Sequence, residues 1–449
     1  MDLDKEALDY HSSGRAGKTE TTPTKPFGTV NDLSLAYTPG VAAPVKEINK
    51  ERWKAYRYTN KGNLVAVVTN GSAVLGVGNV GAVASKPVME GKAMLFKVLA
   101  DIDAFDIELS DEEPDKLIET VQALAPTFGG INLEDIKAPE CFYIEEKLRG
   151  LLDIPVLHDD QHGTAIVITA ALTNACEVTG KDITKTSIVI CGAGAAGIST
   201  ARMLKRVGIP KENIIMVDSK GVINNRRKDL NSIKEEFATE APHTTLSQAI
   251  TNADVFIGVS KGNLLSDSDL EIMAESPIIL ALANPTPEID PEKALKVRPD
   301  AVIATGRTDK PNQINNSLAF PYLFRGALDT LSTTINEPMQ LAAARAIAMI
   351  AREPADSEVV KRYNKEFKFG KEYLLPKMGD KRLLTEVTTA VAQAAMESGV
   401  ARRKIASFSE YRSSLQSRVE NENFFSSEKI RHRNNTRNHA GCENRKSKM

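Results

Sequence analysis

Cysteine is scarce: the 449-residue chain has four, Cys141, Cys176, Cys191 and Cys442, and none forms a C-x-x-C pair. That spacing argues against a zinc ribbon or a disulfide framework, and a chain this long buries enough core to need neither. A reducing cytoplasm is the expected compartment. No secretory signal is read in "MDLDKEALDYH", which is acidic and has no apolar centre. A membrane span is missing too. The longest uncharged run, Gly62 to Ser85, has 24 residues, but five are glycine and three asparagine, whereas a spanning helix needs about 20 mainly apolar residues. The net charge of −2 hides a basic end: Lys429 to Met449 holds seven Lys/Arg against one Glu, and the remainder, with 50 basic and 58 acidic residues, carries −8. A nucleic-acid surface on the body of the protein is therefore not expected. "GRAGKT" is no phosphate loop, because two residues rather than four separate Gly14 from Gly17 and no apolar strand precedes it. Internal repeats are absent.

The length predicts two or three domains. From about residue 62 to 160, "LVAVVT" and "AVLGVG" read as strands, "DIELSD" and "GGINLEDI" as strand ends, "PDKLIETVQALA" and "ECFYIEEKLRGLL" as helices, and "DIPVLHDD" as a β-rich run. "GTAIVITAALTNACEVTG" has the length and closing glycine of a buried helix. From 186 on, "TSIVICGAG", "NIIMVDS", "ADVFIGVS", "SPIILALANP" and "DAVIATG" are five strands without polar alternation, several separated by helical patterns. Such strands predict a parallel sheet covered on both faces, the doubly wound architecture. Asn336 is the expected cap of an Ala-rich helix, and helical patterns run to about 401. From about 411 the apolar periodicity fades, so a basic, disordered tail is expected over 411–449.

Two stretches spell G-x-G-x-x-G, "GVGNVG" (Gly76 to Gly81) and "GAGAAG" (Gly192 to Gly197). The second joins a strand to an uninterrupted helix and a further strand ending in Asp218, 21 residues beyond Gly197. Gly192 suits a tight turn, Gly194 a close approach of pyrophosphate to backbone, and Gly197 close helix–strand packing; Ala193, Ala195 and Ala196 complete the loop. Asp218 stands where an acid would bond the ribose hydroxyls. After the first stretch, Pro87 and Gly91 disfavour a regular crossover helix. Lys86 and Lys92 follow it instead, suiting an anionic substrate rather than a second nucleotide.

Glu134 and Asp135 in "NLEDIKAPE", and Asp159 and Asp160 in "VLHDDQHGTA", follow strand-like runs. Adjacent acids are commonly solvated surface. At the ends of strands in an α/β fold, however, three converging carboxylates without cysteine suit Mg²⁺ or Mn²⁺. His158 and His162 lack the Glu of a zinc-protease helix and read as hydrogen-bonding neighbours.

In chain order, "LSLAYTPGVA", "VVTNGSAVLGVGNVG", "ASKPVMEGKAMLFK", "INLEDI", "VLHDDQHGTA", "VICGAGAAG", "ALANPTPE" and "NQINNSLAFPYLFRGALD" resemble the malic enzymes, NAD(P)-dependent oxidative decarboxylases of malate. The resemblance is to the bacterial type, whose long members add a phosphotransacetylase-like domain. "ESGVARRKIASFSEYRSSL" resembles the junction before that domain, so a form lacking it is expected. The resemblance implies an N-terminal α/β malic-enzyme domain over 1–160 and a Rossmann-type NAD(P)-binding domain with a helical segment over 161–410. It also implies Tyr37 as general acid, Lys92 as general base, and Glu134, Asp135 and Asp160 as metal ligands. Asn284 and Asn316 are implied contacts of substrate or cofactor. Animal-type members have an Arg before the first glycine loop to hold a malate carboxylate; Val74 stands there, leaving Lys86 and the Gly76–Gly81 backbone as candidates. Lys92 must be neutral to accept a proton, and burial beside a cation would lower its pKa. NAD or NADP is the expected cofactor, with the Ser219, Lys220, Arg226, Arg227 and Lys228 cluster leaning towards NADP. A homo-oligomer acting on malate is expected. The alternatives are a hydroxy-acid dehydrogenase without decarboxylation, and a non-catalytic nucleotide sensor.

Overall fold

In the computed structural model, residues 3–74, 76–110 and 113–420 are described. The chain begins with four short helices, α1 (Leu3–Ser12), α2 (Val30–Ala36), α3 (Ala42–Lys50) and α4 (Ala55–Tyr58), none of which buries a residue. Two parallel sheets follow. The first has the order β2-β1-β3-β4, with β1 (Leu64–Thr69), β2 (Asp103–Glu108), β3 (Gly130–Leu133) and β4 (Val156–His158). All six residues of β1 are buried, as expected for a central parallel strand covered on both faces. Helices α5 (Gly81–Ala100), α6 (Pro114–Leu124) and α7 (Glu140–Leu151) make the crossovers.

The second sheet has the order β10-β9-β8-β5-β6-β7. Its strands are β5 (Ile188–Cys191), β6 (Ile214–Asp218), β7 (Gly221–Val222), β8 (Val255–Gly258), β9 (Ile278–Ala281) and β10 (Val302–Thr305). Five are parallel, and β7 is an antiparallel edge that pairs with the end of β6. The strand order reverses beside β5, and beside β1 in the first sheet, which are the switch points where α/β ligand sites form. Helix α8 (Asp159–Thr179) starts on the residue that follows β4 and packs along α9 (Ala195–Val207) of the second sheet. A single apolar core runs through both halves, and a smaller one covers the outer face of the second sheet.

Three expectations change. "AVLGVG" forms no strand; Val74 and Gly78 make only an isolated bridge within a turn. Pro87 does not break the crossover helix: α5 is continuous over 20 residues. The carbonyl that Pro87 leaves without a donor belongs to Val83, which is 90% exposed, so water can satisfy it. Residues 408–420 form a helix, Phe408–Glu420, with Leu415 fully buried, so irregular chain does not begin at 411. The remainder of the expected tail, 421–449, lies outside the described residues.

Candidate active site

Four side chains meet at the C-terminal ends of β3 and β4. Lys92, on the inner face of α5, extends its Nζ to Glu134 Oε1 at 2.9 Å and to Asp159 Oδ2, and lies 3.9 Å from the centre of the Phe320 ring. Glu134 Oε2 accepts from Asn132 Nδ2 at 2.9 Å. Asp160 Oδ2 accepts from the backbone N–H of Asp135 at 2.8 Å, which ties the β3 loop to the first turn of α8. Asp135 itself sits at φ 53°, a left-handed conformation that a β-carbon resists. Glu134, Asp135 and Asp160 can each offer an oxygen such that all three lie within 4.8 Å of one another.

The electrostatics follow from this crowding. Burial pushes Glu134 up to about 7 against the pull of Lys92, and the nearby Asp160 adds to the rise. Burial likewise takes Asp159 and Asp160 up to about 6. Burial alone would push Lys92 down, but Asp159 and Glu134 outweigh it and hold the ammonium above the usual lysine range. The expected depression of Lys92 is thus reversed here. Glu134, Asp135 and Asp160, three crowded oxygen donors of which Glu134 and Asp160 hold protons more readily than usual, fit a hard divalent cation.

Gly163 explains how Asp159 fits. A β-carbon at 163 would come within 1.8 Å of Asp159 Oδ1, so only glycine leaves room for that carboxylate beside α8. Glu145 braces the segment from behind: its Oε1 accepts from the His158 N–H at 3.0 Å, and its Oε2 meets His162 Nε2 at 2.9 Å. His158 is buried, and burial takes its ring down to about 4, leaving it neutral. His162 is a hydrogen-bonding neighbour, as expected, whereas neither ring nitrogen of His158 has a hydrogen-bond partner among the described residues, Nδ1 lying 3.7 Å from Asp160 Oδ2.

On the opposite wall lies the second glycine turn. A β-carbon on Gly192 would approach Val259 O to 2.7 Å, and one on Gly197 would reach Gly192 O at 1.8 Å, whereas Gly194 faces open space. Two glycines therefore serve packing, and the middle one bares the backbone. Gly194, Ala195 and Ala196 line a cleft of about 490 Å³ together with Asp135, Asp160, Asn284 and Asn316. Ala193 lies off this cleft, at an adjoining recess with Lys234. Helix N-terminus and acidic cluster thus face one cavity. Across it, Gly76 approaches the Asn284–Pro285 turn, its absent β-carbon 3.6 Å from Asn284 O, so the first glycine loop forms part of the seam between the halves.

Matching family models cover both halves: one described as "Malic enzyme, NAD binding domain" over residues 161–396, and one as "Malic enzyme, N-terminal domain" over 16–113 and 110–149. The chain belongs to the malic enzyme family. It is 54% identical to the NADP-dependent malic enzyme of Escherichia coli over 94% of this chain, and spans 56% of that relative's length. The NADP-dependent malic enzyme of Halomonas elongata is 52% identical over 88% of this chain and 94% of its own length. Among solved structures, a malic enzyme from Pyrococcus horikoshii covers 98% of the chain, and is itself covered completely, with a TM-score of 0.88 at 41% identity.

Three sequence candidates stand outside the cluster. Lys86 pairs with Asp106 at 2.5 Å and Glu108 at 3.5 Å on β2, so it is not a free grip for a substrate carboxylate. Asp218 is enclosed by cations: Oδ1 accepts from Arg227 Nη1 and the Lys220 N–H, and Oδ2 from Arg227 Nη2 and Lys234 Nζ, all at 2.7–3.0 Å. Tyr37, the residue that caps α2, is 68% exposed. Sequence reading missed the Lys92–Asp159 pair, the Glu145 brace and Phe320 under Lys92. Of these, only the first left a local signal, in Gly163 four residues after Asp159.

Proposed function

We propose that this malic enzyme carries out the oxidative decarboxylation of L-malate to pyruvate and CO₂ while reducing a nicotinamide dinucleotide. The observation that carries the reading is the shared cleft: Gly194 and the start of α9 on one wall, Asp135 and Asp160 on the other. A diacid bound between them has its hydroxyl carbon within reach of both. Glu134, Asp135 and Asp160 are the residues that would hold a divalent cation, Mg²⁺ or Mn²⁺. Bound there, it would supply Lewis-acid charge to the substrate and draw Glu134 away from Lys92, easing loss of the ammonium proton. Lys92 then takes the hydroxyl proton of malate, and the hydride from the same carbon goes to the dinucleotide. Loss of CO₂ leaves the enolate of pyruvate, and Tyr37 delivers a proton to its methylene carbon, drawing its own replacement from Lys92. The proton taken from oxygen thus ends on carbon, and no other acid or base is consumed. Gly192 to Gly197 bind the pyrophosphate, and Asn284 and Asn316 contact substrate or nicotinamide.

NADP is the favoured coenzyme. Asp218 already accepts four hydrogen bonds from within the protein, so it is a poor partner for ribose hydroxyls. Arg226 and Lys228 add exposed positive charge beside it, without a carboxylate partner among the described residues. The Escherichia coli and Halomonas elongata relatives are both named NADP-dependent. An assembly of identical subunits in the cytoplasm completes the reading. Cys141, Cys176 and Cys191, free and buried, suit that compartment, and no helix among the described residues is long and apolar enough to cross a membrane.

Steady-state kinetics on L-malate with NADP and NAD, with and without Mn²⁺, tests this. Pyruvate and CO₂ should appear in step with reduced coenzyme, kcat/KM should be higher with NADP, and chelation should stop turnover. Oxaloacetate accumulating without CO₂ would overturn the proposal in favour of a plain hydroxy-acid dehydrogenase.

A further inference from the structure

The reaction proposed above brings a dianion into a cleft that is already acidic. Asp135 and Asp160 line it and Glu134 adjoins them, so a divalent cation on these three carboxylates would still leave the cluster one negative charge in excess. Cluster and dianion then repel, and inside a cleft water screens that repulsion less than it does in bulk. One carboxylate of malate, together with the hydroxyl, can chelate the cation. A further positive charge is needed to hold the diacid in one orientation.

The other cations close by are committed elsewhere. Lys92 is held between Glu134 and Asp159. Lys86 pairs with Asp106 and Glu108 on β2. Arg307, next to the cleft residue Gly306, closes on both oxygens of Asp309 at 2.8 and 2.9 Å. Val74, ahead of the first glycine loop, is apolar and buried. Among the described residues, Lys137 is the one cation that lines the cleft. Its backbone is fixed on the acid wall: the Lys137 N–H donates to Ser72 Oγ at 3.0 Å, and the Ala73 N–H donates to Asp135 O at 2.9 Å. These bonds set Lys137 beside Ala73, which lines the same cleft. Its ammonium is far less committed than its backbone. Nζ lies 3.5 Å from Glu140 Oε1, with the two side chains 43% and 31% exposed, a loose pair of little worth. A better placed carboxylate can displace Glu140.

We infer that Lys137 leaves Glu140 when substrate enters and grips the malate carboxylate that is retained in pyruvate, the one next to the hydroxyl carbon. The choice between the two carboxylates follows from charge. The departing one becomes neutral CO₂, so a cation held against it would stabilise the reactant and slow its loss. The retained one keeps its charge throughout, and a cation there holds substrate and transition state alike. The inference rests on the reading that malate is the substrate.

Lys137→Met and Lys137→Arg test it. With Met, the KM for L-malate should rise at least about tenfold, with most of the loss in KM rather than kcat, because the contact is made in ground and transition states alike. The KM for NADP and the dissociation constant of Mn²⁺ should stay within about threefold of wild type, since the glycine turn and the three acids are untouched. Arg should bring the malate KM back to within about threefold, because a guanidinium offers the same charge to a carboxylate. Isothermal titration of the Mn²⁺-loaded protein supplies a readout without turnover: Met should weaken pyruvate and malate by the same factor, as both carry the gripped carboxylate. An unchanged malate KM would overturn the inference. So would an equal rise in the KM for NADP, which would put Lys137 on the coenzyme, or an Arg variant as impaired as Met, which would mark a structural role. Malate binding that weakens while pyruvate binding holds would overturn the choice of carboxylate. Wild-type protein that neither binds nor oxidises malate would instead remove the reading of the reaction, and this inference with it.

Discussion

Asp160 holds two positions at once. Its Oδ2 accepts from the Asp135 N–H, and its carboxylate is one of three oxygen donors grouped around a common point. Asp160→Asn keeps the shape but removes a charge that a divalent cation needs, so Mn²⁺-dependent turnover should fall at least 100-fold. Dinucleotide affinity, measured by fluorescence titration, should stay within about twofold, because the glycine turn is on the other wall. Gly163 gives a second prediction at this scale. In Gly163→Ala the new methyl would overlap Asp159 Oδ1. The carboxylate must rotate away from Lys92, at a cost of about 1–3 kcal/mol in thermal unfolding and with a lower kcat. Unchanged Tm and kcat would mean that Asp159 has room to move. Much of the cluster was legible in sequence, because acids following strand-like runs in an α/β pattern point to the sheet's ligand-binding edge. The Lys92–Asp159 pair was not: 67 residues separate the partners, and only the fold joins them. Nor did the motif reveal that cations already enclose Asp218.

The same reasoning applies to whole elements. Strands β5, β6, β8, β9 and β10 were readable because each is a short apolar run bounded by polar residues or turns. Pro87 misled because a proline rule describes an isolated helix, whereas α5 buries Met89, Ala93 and Phe96 against the core and tolerates one missing hydrogen bond. Helix Phe408–Glu420 was missed because its composition is polar. It is held by spaced anchors: Leu415 in the core, the Tyr411 hydroxyl donating to Asp329 Oδ2 at 2.7 Å, and Arg418 reaching Asp101 Oδ2 at 3.1 Å. Leu415→Ala should therefore cost about 2–4 kcal/mol in chemical denaturation, although the residue lies in a segment that reads as a tail. An effect under 0.5 kcal/mol would mean that the helix is not docked in solution.

For the molecule as a whole, the buried acids set the response to pH. Glu134 near 7 and Asp159 and Asp160 near 6 bind protons more tightly than in an unfolded chain. The folded state therefore holds extra protons between about pH 4 and 7, and stability falls as pH rises through that window. A cation competes with those protons. In chelator, the acidic cluster should thus lower Tm between pH 5 and pH 8, and Mn²⁺ should raise Tm more at pH 8 than at pH 5. Equal stabilisation at both values would argue against Glu134 and Asp160 as its ligands. The two-part organisation was also legible from the sequence rhythm, but the way the halves join was not, since continuity of a helix across a junction leaves no mark in composition. The join is α8, 21 residues beginning directly after β4 and lying along α9. A rod of about 30 Å embedded in both lobes leaves no swivel at this crossing. If turnover requires the lobes to breathe, the bend must occur elsewhere, and the distance from acids to nucleotide turn is set as firmly as the spacing of jaws cut from one piece of metal.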